Sequence, residues 1–159
     1  VYIIRMEKQM VTSQSKQNAS GQTPDETFVV LFLQKVDAIK VRLSAVTATE
    51  DVTPQQYNIL RILKGANPQG LPTLEIGNRM LEHSPGITRL IDRLERKNLV
   101  ARIRSTEDRR LVTCKITKQG EQVLENLSKP IHAFHKEVTQ QLSESERNIV
   151  IELISKICI

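Results

Sequence analysis

The chain has 159 residues, 39% of them apolar, with five aromatic side chains, no Trp and 23 Lys+Arg against 18 Asp+Glu. That is enough apolar material for one core and too much for a disordered tail, while two cysteines exclude a disulfide scaffold and give no zinc spacing with the three histidines. The net charge of +5 is local: Arg79 to Lys118 holds eleven basic and five acidic residues, and the remainder of the chain is one charge negative, so a single segment is fit to face a polyanion.

The apolar start, Val1 to Ile4, is far short of a signal-peptide core or a membrane span of ~20 residues, which predicts a soluble, cytoplasmic protein. Residues 1–24 are polar and without periodicity, as in a mobile N-terminal arm. From Phe28 onward, Phe28, Phe32, Val36, Ile39, Leu43 and Val46 recur at steps of three and four, one apolar stripe on a long helix. Thr53-Pro54-Gln55-Gln56 then places a hydroxyl at N-cap, Pro at N1 and Gln at N3, the start of a second helix carrying Tyr57, Leu60 and Leu63. Gly65 and Asn67-Pro68 stop it.

Pro72 opens a short helix with Leu74, Gly77 and Leu81 as its expected inner face. Ser84-Pro85 opens another, running to Lys97, with Ile87, Leu90, Ile91 and Leu94 at i, i+3, i+4, i+7. Two short helices across a tight turn form a helix-turn-helix candidate, and a small residue at Gly77 suits a close crossing.

The segments Leu99–Arg104 and Leu111–Ile116 flank polar residues 105–110. Arg102 and Arg104 alternate with Ala101 and Ile103, and Val112, Cys114 and Ile116 alternate with Thr113 and Lys115, as in a half-buried hairpin with a basic tip. A hairpin directly after a helix-turn-helix is a wing. The last third returns to helix: Val123, Leu127, Ile131, Phe134, Val138 and Leu142 form a stripe with a kink expected at Pro130, and Ser143-Glu144-Ser145-Glu146 caps a final helix bearing Ile149, Val150, Leu153, Ile154 and Ile157.

A helix that enters a DNA major groove needs short polar groups in its first turn, where its amide ends also favour phosphate. Ser84, Pro85, Gly86, Thr88, Arg89, Asp92 and Arg93 supply such a surface opposite the core stripe. Gly86 admits close backbone approach, Thr88 offers a methyl or hydroxyl to a base edge, and Arg89 can reach guanine or phosphate. In the wing, Arg104, Asp108, Arg109 and Arg110 are the candidates, with Arg110 fit for a narrow minor groove and Asp108 fit to orient it. A solvated charged helix face and a surface ion pair are the bland alternatives.

The run Ser84-Pro85-Gly86-Ile87-Thr88-Arg89-Leu90-Ile91-Asp92-Arg93-Leu94-Glu95-Arg96-Lys97-Asn98-Leu99-Val100, followed by Asp108-Arg109-Arg110 and by Ile116-Thr117-Lys118-Gln119-Gly120, resembles the MarR (multiple antibiotic resistance regulator) family across Phe28 to Ile157. The resemblance implies a homodimeric winged helix-turn-helix regulator, usually a repressor, released from DNA by small lipophilic or phenolic ligands. Its Asp-x-Arg wing signature falls on Asp108 and Arg110.

The expected fold is mainly α with a small β-wing, a single domain over residues 25–159. Its DNA-binding lobe spans 53–118, and dimerisation helices span 25–48 and 119–159. Phe28, Phe32, Val36, Ile149, Val150, Leu153, Ile154 and Ile157 are the expected dimer residues, since pooling distant stripes between two chains buries what one chain exposes. The expected partners are a second copy and double-stranded DNA with a pseudo-palindromic site, with no membrane, metal or cofactor beyond an effector. No glycine phosphate loop, nucleophile elbow or carboxylate pair suggests an enzyme. Cys114 reads as a small core residue, and Cys158 as a terminal thiol near the dimer helices. His83, His132 and His135 lack a third metal ligand. A winged-helix module that binds protein without an operator is the alternative.

Overall fold

The computed structural model describes residues 23–66, 70–81, 86–104 and 112–157. The chain divides into two units whose boundary falls between Ile39 and Lys40, inside the first helix. That helix, α1, is Pro24–Ala48, and Thr47 is its one buried residue. Thr23 starts it with a reciprocal cap that the sequence reading passed over: the Glu26 amide donates to Thr23 Oγ1 at 3.2 Å and the Thr23 amide to Glu26 Oε2 at 2.8 Å. In the first unit the Phe28 and Phe32 rings stack with centroids 5.9 Å apart.

The second unit continues with α2 (Pro54–Lys64), β1 (Leu71–Pro72), α3 (Thr73–Asn78), α4 (Ile87–Arg96), β2 (Val100–Arg104), β3 (Val112–Ile116), α5 (Lys118–Thr139) and α6 (Glu144–Ser155). Both capping boxes read from the sequence are formed, at Thr53/Gln56 for α2 and Ser143/Glu146 for α6. At the second, hydrogen bonds from the Ser143 hydroxyl and amide hold the Glu146 carboxyl below its ordinary pKa.

One core joins these elements, α6 excepted. Ile59 and Leu60 of α2, Ile76 of α3, Ile91 and Leu94 of α4, Val100 and Cys114 of the sheet and Leu127 of α5 are fully buried. Each large aliphatic side chain there is worth about 1.5–3 kcal/mol over exposure. Pro130 does not end α5, which runs through it to Thr139.

Two expectations need correction. The short helix ends at Asn78 and buries Ile76, whereas Leu74 and Leu81 are 77% and 85% exposed. Six residues make too few turns for a periodic stripe to declare its inner face. The hairpin also gains a third strand: the order is β1-β3-β2, all antiparallel, with Leu71 opposite Cys114 and Val100, Arg102 and Arg104 opposite Ile116, Cys114 and Val112. A two-residue strand carries no alternation to read.

The turn out of α4 fixes where the sheet begins. Asn98 takes the left-handed region at φ 57°, the Leu99 amide donates to Leu94 O and the Asn98 amide to Glu95 O, both at 2.9 Å, a Schellman stop. Leu99 O then accepts the Thr117 amide at 3.1 Å, and Thr117 Oγ1 donates to Asn98 O at 2.6 Å while accepting from the Gly120 amide as the N-cap of α5. A Cβ on Gly120 would lie 2.3 Å from Leu99 O, so α5 can start here only on glycine. Gly77 is different: its Cβ would meet Ile87 at 3.9 Å, an ordinary contact, so the helix crossing does not require it.

The two glycines therefore respond oppositely to alanine. Gly120→Ala is expected to lower stability by about 1–3 kcal/mol through the backbone clash. Gly77→Ala is expected to raise it by about 0.5–1 kcal/mol through helix propensity. Urea unfolding at one fixed protein concentration reads both, and a neutral Gly120→Ala would contradict the described junction.

Candidate nucleic-acid interface

The charged face of α4 follows from its sequence. Ile91 and Leu94 are buried and Ile87 and Leu90 half-buried, which turns Thr88, Arg89, Arg93 and Arg96 outward along the opposite side. Gly86 stands at the N-cap, and among the described residues a Cβ there would meet nothing within 4 Å. Among the described residues, then, nothing stands between the first-turn amides and an approaching backbone or phosphate. Arg96, absent from the expected set, continues the row three and seven residues beyond Arg93 and Arg89.

Asp92 is placed differently from the expectation that it joins the groove face. Its Oδ1 takes a hydrogen bond from Arg102 Nη2 at 2.5 Å, and Glu95 Oε2 takes one from Nη1 of the same arginine at 2.8 Å. Arg102 reaches them because β2 docks with Val100 inward, which puts Arg102 on the same face as Val100 and opposite buried Cys114. Its side chain is only 26% exposed. The Asp92 hydrogen bond is the main cause holding the guanidinium pKa above its ordinary value. Ile103, the more apolar neighbour, faces outward instead. A carboxylate pair one turn apart and an arginine two residues beyond a buried strand position were the available signals.

Arg104 is exposed at the end of β2. At the other end of α4, Lys97 Nζ donates to Asp51 Oδ2 at 2.7 Å and also to Asp51 O, tying the helix to the corner before α2, where Asp51 has φ 52°. Ser84, Pro85, Asp108, Arg109 and Arg110, together with His83 and Cys158, lie outside the described residues. Among the described residues no cluster of His, Cys, Asp and Glu is arranged to hold a metal. None of the described helices is long and apolar enough to cross a membrane.

A helix-turn-helix followed by a hairpin, with a third short strand on the hairpin's outer edge, is a winged helix. The MarR family model matches residues 52–112, from the corner before α2 to the first residue of β3. The transcriptional regulator MhqR of Bacillus subtilis is 32% identical over 107 residues, 67% of this chain and 72% of MhqR. The chain belongs to the MarR family. A MarR transcription factor from Planctomyces limnophilus superposes with TM-score 0.65 at 32% identity, over 86% of this chain and 98% of that one. A cysteine variant of MarR from Escherichia coli, solved with operator DNA, shares the fold at TM-score 0.74 and 22% identity, over 84% and 94% of the two chains.

In this MarR-family chain Cys114 is a core residue: it is fully buried, with Thr73 Oγ1 3.9 Å from its sulfur, and burial pushes its thiol pKa up. The folded pKa then exceeds the unfolded one, so its contribution to stability is complete below the unfolded value and is lost as pH rises through the folded value. In a Cys158→Ser background, Cys114 should resist a thiol reagent at neutral pH until denaturant is added, and stability should decline on the alkaline side. Rapid labelling of the folded protein would contradict the burial.

Proposed function

We propose that this MarR-family protein is a sequence-specific, homodimeric DNA-binding repressor of transcription that acts in the cytoplasm and is released by a small ligand. The observation that carries the reading is the outward row Thr88, Arg89, Arg93 and Arg96 on the helix that starts at Gly86, next to a wing strand that ends in exposed Arg104. Thr88 and Arg89 are assigned to base edges, and Arg93, Arg96 and Arg104 to phosphate. Asp108 and Arg110 keep the wing role that the resemblance implies, and Arg109 remains a candidate beside them. That the E. coli MarR variant of like fold was solved with operator DNA supports DNA as the partner.

The dimer is supported by apolar surface that a single chain leaves in water. Phe28 is exposed on α1, with Phe32 and Val36 half-buried, and α6 buries no residue at all, with Ile149, Val150, Leu153 and Ile154 open and Ile157 exposed just beyond it. A second copy covering these faces would set two recognition helices about 34–36 Å apart on a pseudo-palindrome. For the effector, a cleft of about 200 Å³ lies among Leu43, Ser44, Pro54, Asn58, Met80 and Leu81, of a size and polarity for a phenolic ring. Occupying it would change the spacing of the recognition helices and so the DNA affinity.

Binding to duplex DNA is expected to weaken by about a thousandfold or more between about 50 and about 200 mM salt. Arg89→Ala should cost about 1–3 kcal/mol on a selected operator and relax the base preference beneath it. A flat salt response would favour the protein-interaction reading. The same titration with salicylate as probe tests release, and an unchanged DNA affinity at saturating probe would remove phenolic effectors from the proposal.

Leu153, 56% exposed in the single chain, provides the test of assembly. Leu153→Asp is expected to sediment as a monomer or to unfold, whereas wild type sediments as a dimer. A folded Leu153→Asp dimer would place the interface elsewhere.

A further inference from the structure

We infer that Arg102 is a positioning residue for DNA recognition: forked between Asp92 and Glu95, it locks the wing strand to the recognition helix and withdraws both carboxylates from the DNA-facing charge. The inference rests on the DNA-binding reading above. Asp92 and Glu95 stand three apart on α4, and one guanidinium meets both, at 2.5 and 2.8 Å, from a strand that pairs directly with β3. A planar five-donor fork suits this geometry; a lysine ammonium on a shorter reach has no such fork.

Two consequences follow. The first is angular. α4 and β2 are joined by the short turn Lys97–Leu99, and Leu94 and Val100 are buried on the two sides of it. The guanidinium is a second tie, placed away from that turn. With two ties the helix cannot roll about its own axis without breaking one of them, so Thr88 and Arg89 keep a set direction relative to Arg104. The second is electrostatic. Asp92 stands three residues after Arg89 and four before Arg96, and would otherwise offer them a partner on the helix surface. With Arg102 occupying it, the outward row remains available to phosphate.

Arg102 is thereby separated from Arg89, Arg93 and Arg104. They act by touching DNA; Arg102 acts on the helix that does. The two roles differ in salt dependence and in specificity, since a phosphate contact changes affinity for all sequences alike whereas a lost orientation changes the preference for one.

The experiment uses the full chain, a duplex selected by the wild-type protein from a random-sequence library, and a random duplex of equal length. Arg102→Met, Asp92→Asn/Glu95→Gln and the triple variant are compared by fluorescence anisotropy across salt. Each variant is expected to lose at least tenfold in the ratio of selected to random affinity. The triple variant should lose no more than Arg102→Met alone and, having neither the guanidinium nor the freed carboxylates, should keep the wild-type salt slope on random DNA. If Arg102 instead touches phosphate, its removal lowers that slope by about one while the carboxylate double variant tightens binding, and the inference falls. It falls equally if the double variant, which keeps Arg102, retains the wild-type ratio; that arm decides the matter should Arg102→Met fail to fold. A wild type that enriches no sequence overturns the DNA-binding reading, and the inference with it, before any variant is compared.

Discussion

Leu99 is the residue on which the second unit turns. Its amide closes the Schellman stop of α4, its carbonyl receives Thr117, and its side chain is buried in the core. Because Thr117 is at once the end of the hairpin and the cap of α5, the helix α4, the sheet and the long helix meet within a few ångströms of one carbonyl. That crowding explains two residue choices. Asn98 accepts a left-handed backbone at the stop, and Gly120 removes the one Cβ that would strike Leu99 O.

The parts of this fold that were legible in the sequence are those with a local physical cause. Thr53-Pro54-Gln55-Gln56 and Ser143-Glu144-Ser145-Glu146 start helices because hydroxyl, amide and acid or amide side chains satisfy each other within one turn. Ile87, Leu90, Ile91 and Leu94 span enough turns for periodicity to name the inner face. Leu74 and Leu81 misled because a six-residue helix has no such redundancy, and β1 was invisible because Leu71 and Pro72 find their strand partners through tertiary folding alone.

The candidate site was legible in its exposed cations and illegible in its buried pairing. Strand alternation separates Arg102 from Ile103 but does not say which goes inward. The choice is made by Val100 and Cys114, both fully buried, which commit that face of β2 and β3 to the core. Arg102 follows them in, and the cost of half-burying a guanidinium is offset by two carboxylates that sequence spacing alone assigns to the surface. Polar residues at interior-facing positions are where pattern reading fails, because pattern counts side chains by type and not by partner.

The sheet order carries a consequence for how the chain is made. β1 joins the sheet only through β3, so the bond between Leu71 and Cys114 closes a loop that holds α3, α4 and β2. On a ribosome, Leu71 emerges long before its partner, and until residue 114 is synthesised neither β1 nor β2 has β3 to pair with. Closing such a loop costs entropy that grows as the logarithm of its length and is returned only when the hydrophobic core assembles. The nascent winged helix is therefore an all-or-none unit: a chain halted before β3 holds α4 in full and lacks the strand that joins β1 to β2.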